Sequence, residues 1–216
     1  MKRREFTRTA LGLGALGMGS TLPTLALAQG APVEGKDFVK LQTPAPVSLA
    51  PGKKVEVIEF FWYGCPHCYA FEPFIEAWAK KLPADVQFRQ VPFAFIGPVE
   101  HQKLFYALEE IGQREALQRK VFNAYHVERK KLASESEITE FVAANGVDKA
   151  KFTEAYKSFG VNTKLNRGKN LSNAYKIDGV PAMGIQGRFY TSASLAGSHE
   201  RALQVTDQLI ARARQG

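Results

Sequence analysis

The 216-residue chain has two cysteines, and they stand together as Cys65-Pro66-His67-Cys68. A pair at that spacing can close a disulfide between its own sulfurs and reopen it, so the chemistry to consider first is thiol–disulfide exchange. The residues after the pair step helically, with Phe71, Phe74, Ile75, Trp78 and Leu82 on one face. Cys65 is therefore expected at the N-cap of a helix and Pro66 at its first position, where the missing N–H costs nothing. A thiolate at that place faces unpaired backbone N–H groups and the positive end of the helix dipole, which depresses its pKa. His67 can add positive charge or a donated hydrogen bond. Cys68, one turn further in, is expected to be buried and less acidic, leaving Cys65 as the exposed sulfur that is attacked and expelled. Whatever stabilises the reduced thiolate makes the disulfide easier to reduce, hence a stronger oxidant.

Other uses of such a pair fit less well. Zinc needs about four ligands, and there is no second CxxC or closely spaced histidine pair; His101, His126 and His199 are scattered and are expected at the surface or the core edge. Covalent haem attachment needs a histidine directly after the second cysteine, where Tyr69 stands. A purely structural bridge would close a very small loop and stabilise little.

The elements that must position the pair are legible on either side of it. Residues 55–63 (VEVIEFFWY) form a nearly continuous apolar, β-branched and aromatic run, as expected of a central strand covered on both faces. A short strand is expected over 37–42 and another over 86–93. Pro73 should kink the helix that follows the cysteines. From about 99 to 175 the pattern is helical, with Gly or Asn stops. Then come a turn at Asp178-Gly179-Val180-Pro181, a hairpin through Gly187 and a closing helix over 199–214. The order is that of a mixed α/β fold with a helical block inserted mid-chain.

The N-terminus reads as an export signal: Lys2, Arg3 and Arg4 precede an apolar stretch that ends at Ala26-Leu27-Ala28, a small-x-small cleavage site. A retained anchor is the alternative, but four glycines and Pro23 weaken a spanning helix. Arg3-Arg4-Glu5-Phe6 also resembles a twin-arginine signal, so the export route stays open. Residues 1–28 hold four of the 29 Lys and Arg and one of the 21 Asp and Glu, so removing them lowers the net charge from +8 to +5. That mild excess, without a basic cluster interleaved with aromatics, argues against a nucleic-acid surface. With no later apolar run of about 18 residues, a soluble protein outside the cytoplasm is expected, where oxidised cysteine persists.

The segment EFFWYGCPHCYAFEP resembles the active-site segment of the DsbA family, thioredoxin-fold proteins that introduce disulfides in the bacterial periplasm. The Pro-His dipeptide is that family's usual pair, unlike Gly-Pro in thioredoxins or Gly-His in protein disulfide isomerases, and Pro73 matches a helix proline of thioredoxin-like proteins. The resemblance covers nearly all of the mature chain, most strongly residues 56–74. It implies a thioredoxin-like fold with an inserted helical domain: a signal peptide over 1–28, thioredoxin-like parts over 29–97 and 167–216, and the insertion over 98–166 as scaffold and substrate platform. A very acidic cysteine and an oxidising couple are properties of that family, implied here by the resemblance.

Two further positions carry over. Glu59 matches the family's buried acid; a carboxyl inside an apolar strand is expensive without a task or a partner, and a raised pKa would let it shuttle a proton to or from Cys68. The alternative is a strand-edge glutamate reaching water. Many relatives place a lysine near this acid, whereas this chain offers Arg89 or Gln90. Val180-Pro181 resembles the cis-proline loop that faces the CxxC, which would present the Val180 backbone to an extended substrate peptide. The implied partners are exported proteins with free thiols and a quinone-linked inner-membrane reoxidase of the DsbB type, acting on a monomer that needs no bound cofactor. Against this oxidase stand a disulfide isomerase or reductase and a non-catalytic peptide-binding chaperone. Residues 29–54 are too short for the dimerisation domain of DsbC-type isomerases, and the intact CxxC argues against the chaperone.

Overall fold

The computed structural model describes residues 30–215, so the expected export segment lies outside the described residues. Five strands, β1 (Val39–Lys40), β2 (Val55–Phe61), β3 (Val86–Pro92), β4 (Ala182–Ile185) and β5 (Phe189–Ser192), form one sheet in the order β1-β5-β4-β2-β3. β2 lies inside it, parallel to β3 and antiparallel to β4. All seven of its residues are buried, because a strand covered on both faces has no solvent side on which to alternate. The parallel β2–β3 pairing requires a crossover, which α1 (Pro66–Ala79) supplies. α1 runs through Pro73 without a break. β4 and β5 form the expected hairpin, with Gln186 and Gly187 at positive φ in its turn. The strand expected over 37–42 is two residues long, with Val39 and Lys40 paired to Tyr190 and Phe189 of β5.

Between β3 and β4 come α2 (Val99–Glu110), α3 (Arg114–His126), α4 (Glu135–Ala144), α5 (Lys149–Lys157) and α6 (Phe159–Tyr175). Ser134, Asp148 and Ser158 cap α4, α5 and α6 by accepting from the N–H three residues on. α6 runs without a break through residues 166 and 167. The one glycine near that point, Gly168, is held in the helix by close packing, since a Cβ there would lie 2.6 Å from the Tyr106 hydroxyl. α7 (Ala193–Ala196) and α8 (His199–Ala213) close the chain.

The apolar clusters show how the helical block is tied to the sheet. Val57, Phe71, Ile75 and Leu209 pack sheet, α1 and α8 together, and Ile58, Phe60, Leu171 and Tyr175 fill the opposite face. A third cluster starts at Phe61, Tyr63, Cys65 and Cys68 and continues through Leu104, Phe105, Val121 and Phe122 to Ile138 and Phe152. The inserted helices therefore share a core with the end of β2 and with both cysteines. From Ala31 onward the described residues form one compact unit. No helix among them is long and apolar enough to cross a membrane.

Candidate redox site

Strand β2 ends at Phe61, and four residues later Cys65 takes the N-cap of α1 with extended φ and ψ of −83° and 119°. Its N–H closes the intervening turn on the Trp62 carbonyl at 3.0 Å. Both cysteines are free thiols in this structure. The Cys65 thiol does not cap the helix; it donates to the Val180 carbonyl, with Sγ 3.4 Å from the oxygen. Cys65 is only 8% exposed and Cys68 fully buried, while Pro66 and His67 are exposed. The exposed Cys65 expected from the sequence is thus corrected: the Val180 loop, invisible from the CxxC segment, packs over it.

The two thiols differ in acidity in the expected sense. Cys65 is lowered to about 6, first by the hydrogen bond from the Cys68 thiol, against burial, and then by the N–H groups of Cys68 and His67 and the His67 charge. Burial pushes Cys68 well up, and the neighbouring Cys65 adds to the effect.

Behind the pair, Glu59 is fully buried on β2, which has neighbours on both sides, so the strand-edge alternative does not hold. Its register partner on β3 is Gln90, whose Nε2 donates to Glu59 Oε2 at 2.8 Å. Of the two candidate partners it is Gln90 that meets Glu59. Arg89, one residue earlier, points to the other face of the sheet and pairs with buried Glu56 at 3.0 Å. Burial raises the Glu59 pKa well above the ordinary carboxylate range, and Glu72 raises it further.

Glu72, absent from the sequence expectations, stands one turn after Cys68 on the buried face of α1 and is pushed up to about 7 by burial. The i, i+4 spacing from Cys68 is the signal that could have found it. Arg114, at the start of α3, donates from Nη1 to Gln90 Oε1 at 2.7 Å. A cavity of about 570 Å³ opens beside this network, lined by Glu72, Gln90, Arg114 and Gln118 among others. Among the described residues no group of three or more His, Cys, Asp and Glu is placed to hold a metal ion.

Of the three scattered histidines, His101 departs from expectation by being buried, while His126 and His199 are half-buried at the core edge. His101 is 2% exposed, with Nδ1 accepting from the Trp62 indole N–H at 3.0 Å and Nε2 donating to the Lys131 carbonyl at 2.8 Å. His126 donates to the Tyr63 carbonyl at 2.8 Å and stacks on Tyr69 with centroids 4.7 Å apart. His199 lies against Phe71 and Phe74. The partners of His101 and His126 are far away in sequence, so no local spacing announces them. Gly64 and Gly97 let the Trp62 ring lie flat between them, since a Cβ on either would come within 2.3 Å of it.

Val180-Pro181 is a cis peptide directly before β4, with Pro181 buried and Val180 half-buried. Cys65, Cys68, Glu59 and Val180 are thereby gathered from the start of α1, from β2 and from the entry to β4.

Comparison with known proteins adds the lineage. The family model described as a DSBA-like thioredoxin domain matches residues 98–203. The thiol:disulfide interchange protein DsbA of Burkholderia cepacia is 45% identical over 202 residues, 93% of this chain and 92% of that one. The protein of the same name from Bordetella pertussis is 44% identical over 216 residues, 99% of this chain and all of that one. The crystal structure of Pseudomonas aeruginosa DsbA superposes with a TM-score of 0.80 at 44% identity, covering 88% of this chain and 97% of its own. With that identity over nearly full length and the same thioredoxin-like fold carrying inserted helices, the chain belongs to the DsbA family.

Proposed function

We propose that the protein is a periplasmic dithiol oxidase that donates a Cys65–Cys68 disulfide to exported proteins carrying free thiols. The observation that carries this reading is the division between the two sulfurs: Cys65 acidic at a helix N-terminus beside the Val180 backbone carbonyl, Cys68 buried and far less acidic behind it. A substrate thiolate attacks Cys65 Sγ, the Cys65–Cys68 bond breaks, and its electron pair leaves on Cys68. Glu59, protonated because burial raises its pKa, supplies the proton that Cys68 takes up. The substrate's second thiolate then attacks the substrate sulfur of the mixed disulfide and expels Cys65 as the thiolate. The substrate is oxidised by two electrons and the Cys65–Cys68 pair is reduced by two.

Cys65 is suited to the last step because an acidic thiol is a good leaving group. His67 adds to its acidity, and Pro66 starts the helix without wasting a donor. The Val180 backbone would pair with an extended substrate segment, a reading supported by its contact with Cys65. Reoxidation falls to a quinone-linked membrane partner of the DsbB type, with the protein working as a soluble monomer after removal of residues 1–28. The inserted helices serve as scaffold and substrate platform.

The test is the redox equilibrium with glutathione, paired with two activity assays: oxidation of a reduced model protein and repair of a scrambled one. An oxidising potential and activity in the first assay are expected. A strongly reducing potential, or activity only on the scrambled protein, overturns the oxidase reading, and full activity in Cys65→Ala points to a chaperone.

A further inference from the structure

We propose that Arg114 is a positioning residue of the redox site: its guanidinium fixes the orientation of the Gln90 side-chain amide, and that amide fixes which protonation state of Glu59 the core favours. For its consequence on turnover the proposal rests on the role given above to Glu59.

The geometry is a chain of two hydrogen bonds. Arg114 Nη1 lies 2.7 Å from Gln90 Oε1, and Gln90 Nε2 lies 2.8 Å from Glu59 Oε2. An amide side chain offers an acceptor at one end and donors at the other, and the two ends exchange by a half-turn. A guanidinium can only donate. Arg114 therefore accepts one orientation of Gln90, with oxygen outward and N–H toward Glu59. In that orientation the amide favours the carboxylate, because it donates to the charged form. Without Arg114 the amide is free to turn, and its oxygen would accept from a protonated Glu59 instead.

Arg114 thus answers the other groups that face the acid. Glu72 and Cys68 on α1 both oppose negative charge on Glu59, as does burial itself. From β3 comes the neutral Gln90, and from β4 the register partner is Met183, which carries no charge. The hydrogen bond from Gln90 and, after it, the cation of α3 work in the other direction, and Arg119 of the same helix bears on Glu72. Arg114 is placed to do this without being buried itself. Its side chain is 26% exposed, lies over the Phe105 ring at 5.8 Å and borders the cavity that also reaches Glu72. The inserted helices would then contribute to the redox chemistry as well as to its scaffold.

The two half-reactions ask opposite things of Glu59. Substrate oxidation needs a proton delivered to Cys68, whereas reoxidation needs one removed. An acid held permanently protonated could serve the first and would fail the second. Arg114, by favouring the carboxylate, keeps Glu59 able to take the proton back.

The experiment follows the Glu59 carboxyl of the reduced protein by carbon-13 NMR titration, its signal assigned by its loss in Glu59→Gln. In Arg114→Met its midpoint should rise by about one pH unit or more, the usual scale for loss of a nearby opposite charge. Gln90→Leu should raise it too, and Arg114→Met in the Gln90→Leu background should raise it less than it does alone. Arg114→Lys, which can still donate to the Gln90 oxygen, should restore most of the wild-type midpoint. Reoxidation of Arg114→Met by oxidised glutathione should shift its pH profile upward with the midpoint, while substrate oxidation near neutral pH changes little. An unmoved midpoint in Arg114→Met, or an undiminished effect of that change once Gln90 is leucine, overturns the proposal. If the midpoints move as expected while Glu59→Gln leaves both half-reactions unchanged, the Arg114 assignment stands and the proton-transfer role of Glu59 falls.

Discussion

The indole N–H of Trp62 and Nδ1 of His101 lie 3.0 Å apart, and the other nitrogen of that imidazole faces the Lys131 carbonyl at 2.8 Å. A carbonyl accepts only, so the proton sits on Nε2, Nδ1 is the acceptor, and the ring is neutral with both nitrogens committed. Burial lowers the His101 pKa below its ordinary value of 6.5. Below that value the unfolded chain takes up a proton that the folded one resists, so the contribution of His101 to stability is present above it and is lost on acidification. His101→Phe removes the acceptor of Trp62 and should cost about 1–3 kcal/mol near neutral pH. In urea unfolding the gap between wild type and variant should narrow from about pH 7.5 to about pH 5.

The buried carboxyls act with the opposite sign. Glu72 is raised from 4.5 to about 7 and Glu59 is raised as well, so the folded protein keeps protons that the unfolded chain gives up. Their contribution is present at low pH and is lost as pH rises from 4.5 through the folded pKa, about 7 for Glu72. Glu72→Gln should therefore match the wild type near pH 4 and exceed its stability by about 1–3 kcal/mol near pH 8. Denaturant midpoints at the two pH values decide it, and a variant less stable than wild type at both would refute the sign.

Cys65 at about 6, against an ordinary 9, predicts a thiolate that titrates well below a free cysteine. Its contribution to the stability of the reduced protein is full above the unfolded value and is lost as pH falls toward about 6. Ultraviolet thiolate absorbance of the reduced protein should show this midpoint and lose it in Cys65→Ser. Cys68→Ala should raise the midpoint more than His67→Leu does, because the Cys68 hydrogen bond is the largest cause and the His67 charge a minor one.

Gly64→Ala would place a Cβ 2.3 Å from Cζ2 of Trp62, closer than any packed carbon pair. Overpacking of this kind costs typically 1–3 kcal/mol, roughly, and here it would push the indole off His101. A lowered melting temperature and a changed tryptophan emission are expected together. Gly179→Ala, with nothing within 4 Å of the new carbon, is the control and should melt close to wild type.

What the sequence disclosed follows the range over which its signals act. The apolar run of β2, the Pro66 helix start and the acidity of Cys65 are local effects, and each can be read from a dozen neighbouring residues. Glu59 and Val180 entered by resemblance, because nothing within the strand or the turn says that they meet the cysteines. The His101–Trp62 bond and the Arg114–Gln90–Glu59 chain were not legible, since each joins elements 24 or more residues apart. Glu72 is legible in principle from its i, i+4 spacing to Cys68, although a glutamate on a helix is ordinarily solvated.

Glu56 and Glu59 sit three positions apart on one strand and are therefore delivered to opposite faces of the sheet. Glu56 has a cation of its own in Arg89, next to the Ile58 and Tyr175 side, while Glu59 looks toward α1 and accepts from the Gln90 amide. The layer of peptide groups between them works as a partition wall. Under the proposed mechanism a proton would come and go on the cysteine side while the ion pair behind the wall stayed undisturbed, and one seven-residue strand would keep the moving charge apart from the fixed one.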